Sequence, residues 1–139
     1  MDRCLLDTST LSDVIDLLTK RSALVAKRSK AYLRAHRHFT FSDVSCYEIL
    51  RGLRKKQARI QEQRFQEFRR HSECLPVAPD VFDRAATLWA KGQRQGIAVD
   101  DADLIIAATA LVHGLALITA NPRHFEWIDG LTVANWRDA

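Results

Sequence analysis

The amino-acid sequence predicts an α/β domain with a short, mainly parallel central sheet. Short apolar segments of strand length, such as residues 3–6 and 115–119, alternate with segments whose apolar residues recur at helical spacing. Such continuous apolar strands are typical of parallel sheets that helices cover on both faces. With 139 residues and no linker-like tract or repeat, the chain is expected to form a single domain over residues 1–139.

In the first half of the chain, a buried strand is predicted at residues 3–6, followed by the polar residues 7–10, which offer N-cap oxygens. The helix that follows them has apolar residues at helical spacing, namely Leu11, Val14, Ile15 and Leu18. The next predicted elements are a helix over 22–36, a strand over 39–41 and a helix that begins at Ser42 or Asp43.

The second half continues the alternation of helices and strands. Residues 54–70 either extend the preceding helix past Gly52 or form a separate charged helix. The later elements are predicted to be a strand within 73–77, a helix over 80–94, an apolar helix over 102–113, a strand over 115–119 and a last strand over 131–133. Gly114 is expected to end the apolar helix.

The composition excludes several classes of protein. No apolar run approaches the roughly 20 residues that a membrane-spanning helix needs, and the N-terminus lacks the successive regions of a secretory signal. The cysteines, Cys4, Cys46 and Cys74, are odd in number and lack the spacing of a metal-binding motif, so reduced thiols are expected. These features predict a cytoplasmic protein that has no membrane segment.

Charge is divided unevenly along the chain. Between residues 20 and 70 there are fifteen Lys and Arg but only four acidic residues, which leaves six basic and thirteen acidic residues elsewhere. This division is typical of a protein that contacts a polyanion with one part and holds cations with another. The alternative is an ordinary solvated face on long helices, and the scarcity of interleaved aromatic residues leaves that alternative open.

Three acidic residues lie in apolar surroundings. Asp7 follows the apolar residues 4–6, Glu48 lies within an apolar helical segment, and Asp103 precedes the apolar residues 104–108. A carboxylate that is buried without a partner costs several kcal/mol or takes up a proton. One divalent cation shared by the three carboxylates would satisfy them all.

Each of these acids also has a local explanation. Asp7 is well placed to be a helix N-cap, and Glu48 can pair with Arg51 three residues ahead on the same helix. Asp103 could serve the start of its own helix, where acids favour the positive end of the dipole. Capping is the preferred explanation for Asp100 and Asp101.

Polar residues follow two of the predicted strands. Asp7 comes directly after the strand at 3–6, and Asn121 follows the strand at 115–119. Because sites in parallel sheets lie beyond the carboxyl ends of the strands, both residues are expected at one edge of the sheet. The alternative for Asn121 is a simple turn residue before Pro122.

Together these motifs resemble the PIN-domain ribonucleases of the VapC type, the toxins of bacterial toxin–antitoxin pairs. The matching stretches are residues 5–9, 45–53 around Glu48, 103–110, 117–125 and 130–136, of which the stretch headed by Asp103 is the most specific. The resemblance spans essentially the whole chain in order. It implies a PIN-like three-layer α/β/α domain.

The resemblance also implies an activity and its partners. The chain would be a Mg²⁺-dependent endoribonuclease, with Mn²⁺ able to replace Mg²⁺, and it would leave a 5′-phosphate and a 3′-hydroxyl. Asp7, Glu48 and Asp103 would hold the metal, and Asn121 would join them in the catalytic site. The implied partners are an RNA substrate guided by the basic helices, a VapB-like antitoxin and a second copy of the chain in a homodimer.

Two departures from the family pattern and two rival functions bear on this expectation. Asn121 stands where many relatives have an acid, which favours one metal ion over two, and His124 also replaces a common acid. A haloacid-dehalogenase-like phosphatase would need a second acid where this chain has Ser9. The other rival is a non-catalytic RNA- or partner-binding module, which would have no need of the three acids.

Overall fold

The structure, a computed structural model, describes residues 2–16 and 22–138 and is built of short strands that alternate with helices. The strands are β1 (Cys4–Leu6), β2 (Thr40–Ser42), β3 (Glu73–Leu75), β4 (Ala116–Ile118) and β5 (Val133–Ala134). The helices are α1 (Thr8–Ile15), α2 (Ala23–His36), α3 (Asp43–Lys55), α4 (Arg59–Arg70), α5 (Pro79–Arg94) and α6 (Asp101–His113). A 3-10 turn over Pro122–His124 follows β4.

The strands form one parallel sheet in the order β3-β2-β1-β4-β5. At its centre, Leu6 of β1 pairs with Phe41 of β2 on one side and with Ile118 of β4 on the other. Because all pairings are parallel, the carboxyl ends of the strands lie at the same edge of the sheet. The predicted α/β class with a mainly parallel sheet is therefore confirmed.

Helices cover both faces of the sheet, since neighbouring residues of a strand point to opposite sides. Leu5 belongs to a core that includes Val81 of α5 and Ile106 of α6. Leu6, the next residue, belongs to a second core that includes Phe65 of α4. The helices α1, α2 and α3 also contribute buried residues to this second core. This arrangement confirms the three-layer α/β/α architecture.

Local capping explains where the helices begin and end. Ser22 caps α2 by accepting a hydrogen bond from the backbone N–H of Val25, and Ser42 caps α3 through the N–H of Val44. Helix α6 ends at Gly114, whose φ of 65° lies in the left-handed region that glycine adopts without strain. These three limits agree with the sequence prediction to within one residue.

The structure decides the open question about residues 54–70. Helix α3 continues through Gly52 to Lys55, and the chain then turns at Gln57, which has a φ of 55°. Helix α4 starts two residues later. A separate charged helix is therefore present.

Smaller differences concern the strands and the first helix. The last strand lies at Val133–Ala134 rather than at 131–133, because Val133 is the residue in register with Leu117 of β4. Leu18, which is predicted on the apolar face of the first helix, lies outside the described residues. Over the parts of the chain that the structure describes, no helix has both the length and the apolar character of a membrane span.

Candidate active site

Asp7 lies at the carboxyl end of β1 and is only 5% exposed. Its backbone N–H donates to the carbonyl of Ile118 (2.8 Å), which continues the pairing of β1 with β4 by one residue. Its Oδ1 accepts a hydrogen bond from the N–H of Thr8 (2.8 Å), so the N-cap interpretation is right. The cap uses one carboxylate oxygen and leaves the other to its neighbours.

The second oxygen of Asp7 is held by two hydroxyl groups. Thr119 Oγ1 donates to Oδ2 at 2.6 Å, and Ser9 Oγ donates to the same oxygen at 3.3 Å. Ser9 in turn accepts from the N–H of Ala120 (3.1 Å). Together with the N–H of Thr8, these donors give a buried carboxylate the partners that it needs and fix its orientation.

Glu48 lies on α3 and reaches the same region through a threonine. Thr8 Oγ1, at the start of α1, donates to Glu48 Oε1 (2.7 Å) and lies 2.9 Å from Ser45 Oγ. Arg51 Nη2 lies 3.4 Å from the other Glu48 oxygen, so the predicted i,i+3 pair is also present. Since Arg51 is exposed, that pair contributes little to stability, and the bond from Thr8 is the stronger constraint on Glu48.

Asp103 lies in the first turn of α6 with its side chain 24% exposed. The preceding N-cap residue, Asp100, makes no side-chain capping hydrogen bond, so the capping role predicted for its side chain is not observed. The imidazole of His124 lies beside Asp103, with its Nδ1 3.6 Å from Oδ2. Asp103 also lies in the first turn, where an acid favours the positive end of the helix dipole, so its position agrees with both the local explanation and a shared site.

The pKa of Asp103 shows that the acids act on one another. Burial, as the largest cause, and the negative charges of Asp7, Asp100 and Glu48 together raise this pKa from 3.8 to about 6, while His124 opposes them. Residues from β1, α3 and the start of α6 therefore share one electrostatic site. The site carries an excess of negative charge that a cation would compensate.

Asn121 joins this site through its backbone. Its N–H donates to Thr119 Oγ1 (3.0 Å), the same hydroxyl that holds Asp7. Its carbonyl accepts from the N–H of His124 (3.1 Å) in the 3-10 turn, so the turn interpretation is also right. The expectation that Asp7 and Asn121 lie at one edge of the sheet is confirmed, and the side chain of Asn121 is exposed there.

Thr119 and Asp100 lie at the site although the sequence predicted neither as a site residue: Thr119 was part of a strand, and Asp100 was expected to cap a helix. Thr119 is fully buried and connects Asp7 to the backbone of Asn121. A threonine in an apolar strand segment is typical of a β-sheet residue, so the only signal was its position at the strand end. Asp100 contributes through charge, although its side chain caps nothing.

A groove leads away from the carboxylates along α1 and α3. Its volume is about 360 Å³, and the side chains that line it include Thr8 and two acids, Glu48 and Asp16. The side chains further along include Ser12, Gly52, Lys56, Gln61 and Arg64. An extended polyanion could therefore have one group near the acids and neighbouring charges near Lys56 and Arg64.

An exposed aromatic residue lies beside Glu48 on the outer side of α3. The side chain of Tyr47 is 61% exposed, and the Arg51 guanidinium lies 5.1 Å from the centroid of its ring. A cation over an aromatic face is a favourable arrangement that also holds the ring in place. The pair presents an aromatic surface and a positive charge next to the acids.

The comparisons with known proteins are consistent with the geometry of this site. The family model described as "PIN domain" matches residues 4–131. A relative named Ribonuclease VapC1, from Methanocaldococcus jannaschii, is 27% identical over 110 residues, which are 79% of this chain and 79% of the relative.

Solved structures of toxin–antitoxin complexes are similar over nearly the whole chain. The complex VapBC2 from Rickettsia felis, bound to a DNA fragment from its promoter, contains a chain with a TM-score of 0.85 and 19% identity, covering 97% of this chain and 99% of that one. A toxin–antitoxin complex from Klebsiella pneumoniae has a TM-score of 0.73 and 26% identity, with coverage of 98% and 99%.

Proposed function

This chain belongs to the PIN-domain family, and from that premise we propose that it is a metal-dependent endoribonuclease, the toxin of a type II toxin–antitoxin pair. We place the catalytic site at Asp7, Glu48, Asp103 and Asn121. The similarity to a ribonuclease and to chains of toxin–antitoxin complexes supports both parts of the proposal. We further propose that one PIN domain accounts for residues 1–139.

The observation that carries the proposal is the electrostatic coupling of the acids. The neighbouring charges of Asp7, Asp100 and Glu48 all raise the pKa of Asp103, which burial has already shifted upward. Acids from three separate elements would not be held together at this cost for stability alone. A bound cation would neutralise the carboxylates and so explain why they are held close together.

The donor set suits a hard divalent cation. Asp7, Glu48 and Asp103 supply only oxygen, which Mg²⁺ and Mn²⁺ prefer to nitrogen or sulfur. These carboxylate oxygens do not all lie within 4.8 Å of one another, so an ion held in this arrangement would contact at least one of them through a water. The chemistry supplied by the bound ion is activation of a water and neutralisation of charge on the phosphate. With Asn121 in place of a fourth acid, we propose one ion.

The protein's own side chains orient the carboxylates. Thr119 and Ser9 direct one oxygen of Asp7, and Thr8 directs Glu48 from the adjoining helix. These bonds come from buried or half-buried hydroxyl groups, so they fix the ligands before the substrate arrives. Asn121 is exposed at the same edge and is well placed to orient water or a phosphate oxygen by its amide.

RNA is the proposed substrate because a basic surface adjoins the acids. Lys56 and Arg64 line the groove that starts at Glu48, and they would hold phosphates on one side of the scissile bond. Tyr47 and Arg51 lie on the other side of Glu48 and would stack a base. A strand of RNA bound in this way would pass its backbone over the carboxylates.

The proposed partners are a VapB-like antitoxin and a second copy of the chain. The similar structures are described as toxin–antitoxin complexes, and an antitoxin that covers the groove would block the acids. For the homodimer, we propose the face of α5 that carries Phe82 and Trp89, which are seven residues apart on one side of the helix and about half exposed. A toxin that acts on cellular RNA would work in the cytoplasm.

Cleavage by the purified full-length protein tests the function. Total RNA is incubated with Mg²⁺, with Mn²⁺ or with EDTA, and the new ends are mapped by sequencing. We expect cleavage with either ion, none with EDTA, and 5′-phosphate ends. If the protein binds RNA as tightly with EDTA as with Mg²⁺ and never cleaves it, the protein is instead the non-catalytic binding module.

Three variants and one matched control locate the site. Asp7→Asn, Glu48→Gln and Asp103→Asn should each abolish cleavage while circular dichroism shows a retained fold. Asp101→Asn removes an exposed acid from the same helix turn as Asp103, and its activity should remain. Full activity in any of the first three would remove that residue from the proposed site.

A further inference from the structure

A second group of metal-ligand side chains lies away from the carboxylate site. Asp43 and Cys46 are three residues apart on α3 and therefore share a helix face. Cys74 belongs to the edge strand β3, where it pairs with Phe41 of β2, the strand that leads into α3. One ligand atom from each residue lies within 4.8 Å of the others. We call these three residues the thiol cluster.

The distance between the two sulfur atoms is compatible with zinc binding and too long for a disulfide. Cys46 Sγ and Cys74 Sγ are 3.7 Å apart. Two thiolates on one tetrahedral zinc ion, each about 2.3 Å from the metal, are separated by about 3.8 Å. A disulfide requires about 2.05 Å, so the thiols would have to approach by well over 1 Å to form one. The thiols form a hydrogen bond at this distance, and the same separation lets both sulfur atoms bind one cation without moving.

From this geometry we propose that Asp43, Cys46 and Cys74 bind a thiophilic divalent cation, with zinc as the best match and a water in the fourth position. Two sulfur donors and one carboxylate are a ligand set that zinc accepts. The hard ion proposed for the all-oxygen site would not compete for sulfur. The two sites therefore take different metals.

Binding is an exchange of protons for metal and involves no oxidation. Each cysteine releases one proton to solvent and binds as a thiolate, and Asp43 contributes a carboxylate. Burial, together with the adjacent Cys74, raises the pKa of Cys46 to about 12. The neighbouring Arg69 lowers that pKa and would stabilise the thiolates.

Solvent can reach the cluster. Asp43 is exposed and Cys74 is half-buried, whereas Cys46 is only 2% exposed. Asp43 and Cys46 line a surface depression together with Arg54 and Arg69. An ion can therefore enter from the side of Asp43 and be held at its inner end by the buried sulfur.

A metal at the thiol cluster would join the first turn of α3 to β3. The strand β3 is at the edge of the sheet, where it pairs with β2. Glu48 lies on α3 two residues after Cys46, so the ion would also brace the helix that carries a residue of the carboxylate site. Zinc is thus expected to raise the melting temperature of the protein.

Cobalt and zinc titrations of the reduced, metal-stripped full-length protein test the site. Excess Mg²⁺ is present throughout to occupy oxygen ligands. We expect one equivalent of zinc in competition with a chromogenic chelator, and one equivalent of Co²⁺ that gives thiolate-to-cobalt charge-transfer absorption. Cys46→Ser and Cys74→Ser should lose that absorption. Cys4→Ser, which changes a buried thiol outside the cluster, should keep it.

A measurement on the unaltered protein covers the case in which a serine variant does not fold. Zinc should protect Cys74 from alkylation, as measured by mass spectrometry, and Mg²⁺ should not. The proposal is overturned if no charge-transfer band appears, or if the band persists in both cysteine variants. It is also overturned if the two thiols oxidise to a disulfide and the reduced protein takes up no zinc.

Discussion

Thr119 Oγ1 donates a 2.6 Å hydrogen bond to Asp7 Oδ2 and accepts the N–H of Asn121. This one buried hydroxyl joins the ends of β1 and β4, which are neighbours in the sheet. A carboxylate with a buried donor on one oxygen and a backbone N–H on the other has little freedom to rotate. Asp7 is therefore oriented by the strand ends before any ligand binds.

Removing the hydroxyl should cost both stability and activity. Thr119→Val keeps the shape of the side chain but leaves the Asp7 oxygen without its closest donor, so we expect the free energy of unfolding to fall by about 1–3 kcal/mol. Cleavage should fall as well, since Asp7 loses its orientation. Urea denaturation and a cleavage assay measure the two effects. Thr119→Ser restores the donor and should restore most of both, and a serine variant as weak as the valine variant would contradict the role of the hydrogen bond.

The exposed ring of Tyr47 should contribute to RNA binding through stacking. Tyr47→Ala is expected to weaken binding of a single-stranded RNA by about 1–3 kcal/mol, the typical contribution of one stacked base. Tyr47→Phe keeps the ring under Arg51 and should bind nearly as well as the unaltered protein. Fluorescence anisotropy with EDTA present measures binding without cleavage. Equal affinities for all three proteins would exclude Tyr47 from the RNA path.

The sequence predicted the strands and the polar residues that follow them because both depend on local pattern. The carboxyl ends of parallel strands lie at one edge of the sheet regardless of how the helices pack. Asp7 and Asn121 were therefore placed together correctly. Glu48 and Asp103 lie on helices, and the side that a helix turns toward the sheet edge depends on tertiary packing. Their apolar surroundings suggested a cation shared with Asp7, but only the family resemblance placed these two acids beside the strand ends.

Two features of the structure had no usable local signal. Thr119 is an ordinary strand residue by sequence, and its role appears only when β1 and β4 are paired. Cys46 and Cys74 are 28 residues apart and show no motif spacing, but the pairing of β2 with β3 brings them within 3.7 Å. Contacts that depend on strand order cannot be obtained from spacing along the chain.

The proposed dimer face on α5 can be tested with a single charge. Trp89 is half exposed, and Trp89→Glu would place a carboxylate in an interface that excludes water. We expect the variant to be monomeric by analytical ultracentrifugation at concentrations where the unaltered protein is dimeric. Ile60→Glu alters another exposed apolar residue, on α4, and should leave the dimer intact. A dimeric Trp89→Glu protein would place the interface elsewhere.

The stability of the metal-free protein should fall as the pH rises from about 4 to 6. Burial and the charges of Asp7 and Asp100 raise the pKa of Asp103 from 3.8 to about 6, so in this range the folded protein binds more protons than the unfolded chain. The loss of stability from this group is up to about 3 kcal/mol.

Asp103→Asn should remove that loss, so at pH 7 without metal this variant should unfold at a higher temperature than the unaltered protein. Asp101→Asn should show no such increase in melting temperature. Adding Mg²⁺ should stabilise the unaltered protein and not Asp103→Asn. A melting temperature of the metal-free protein that is flat across this pH range would contradict the electrostatic coupling on which the proposed function depends.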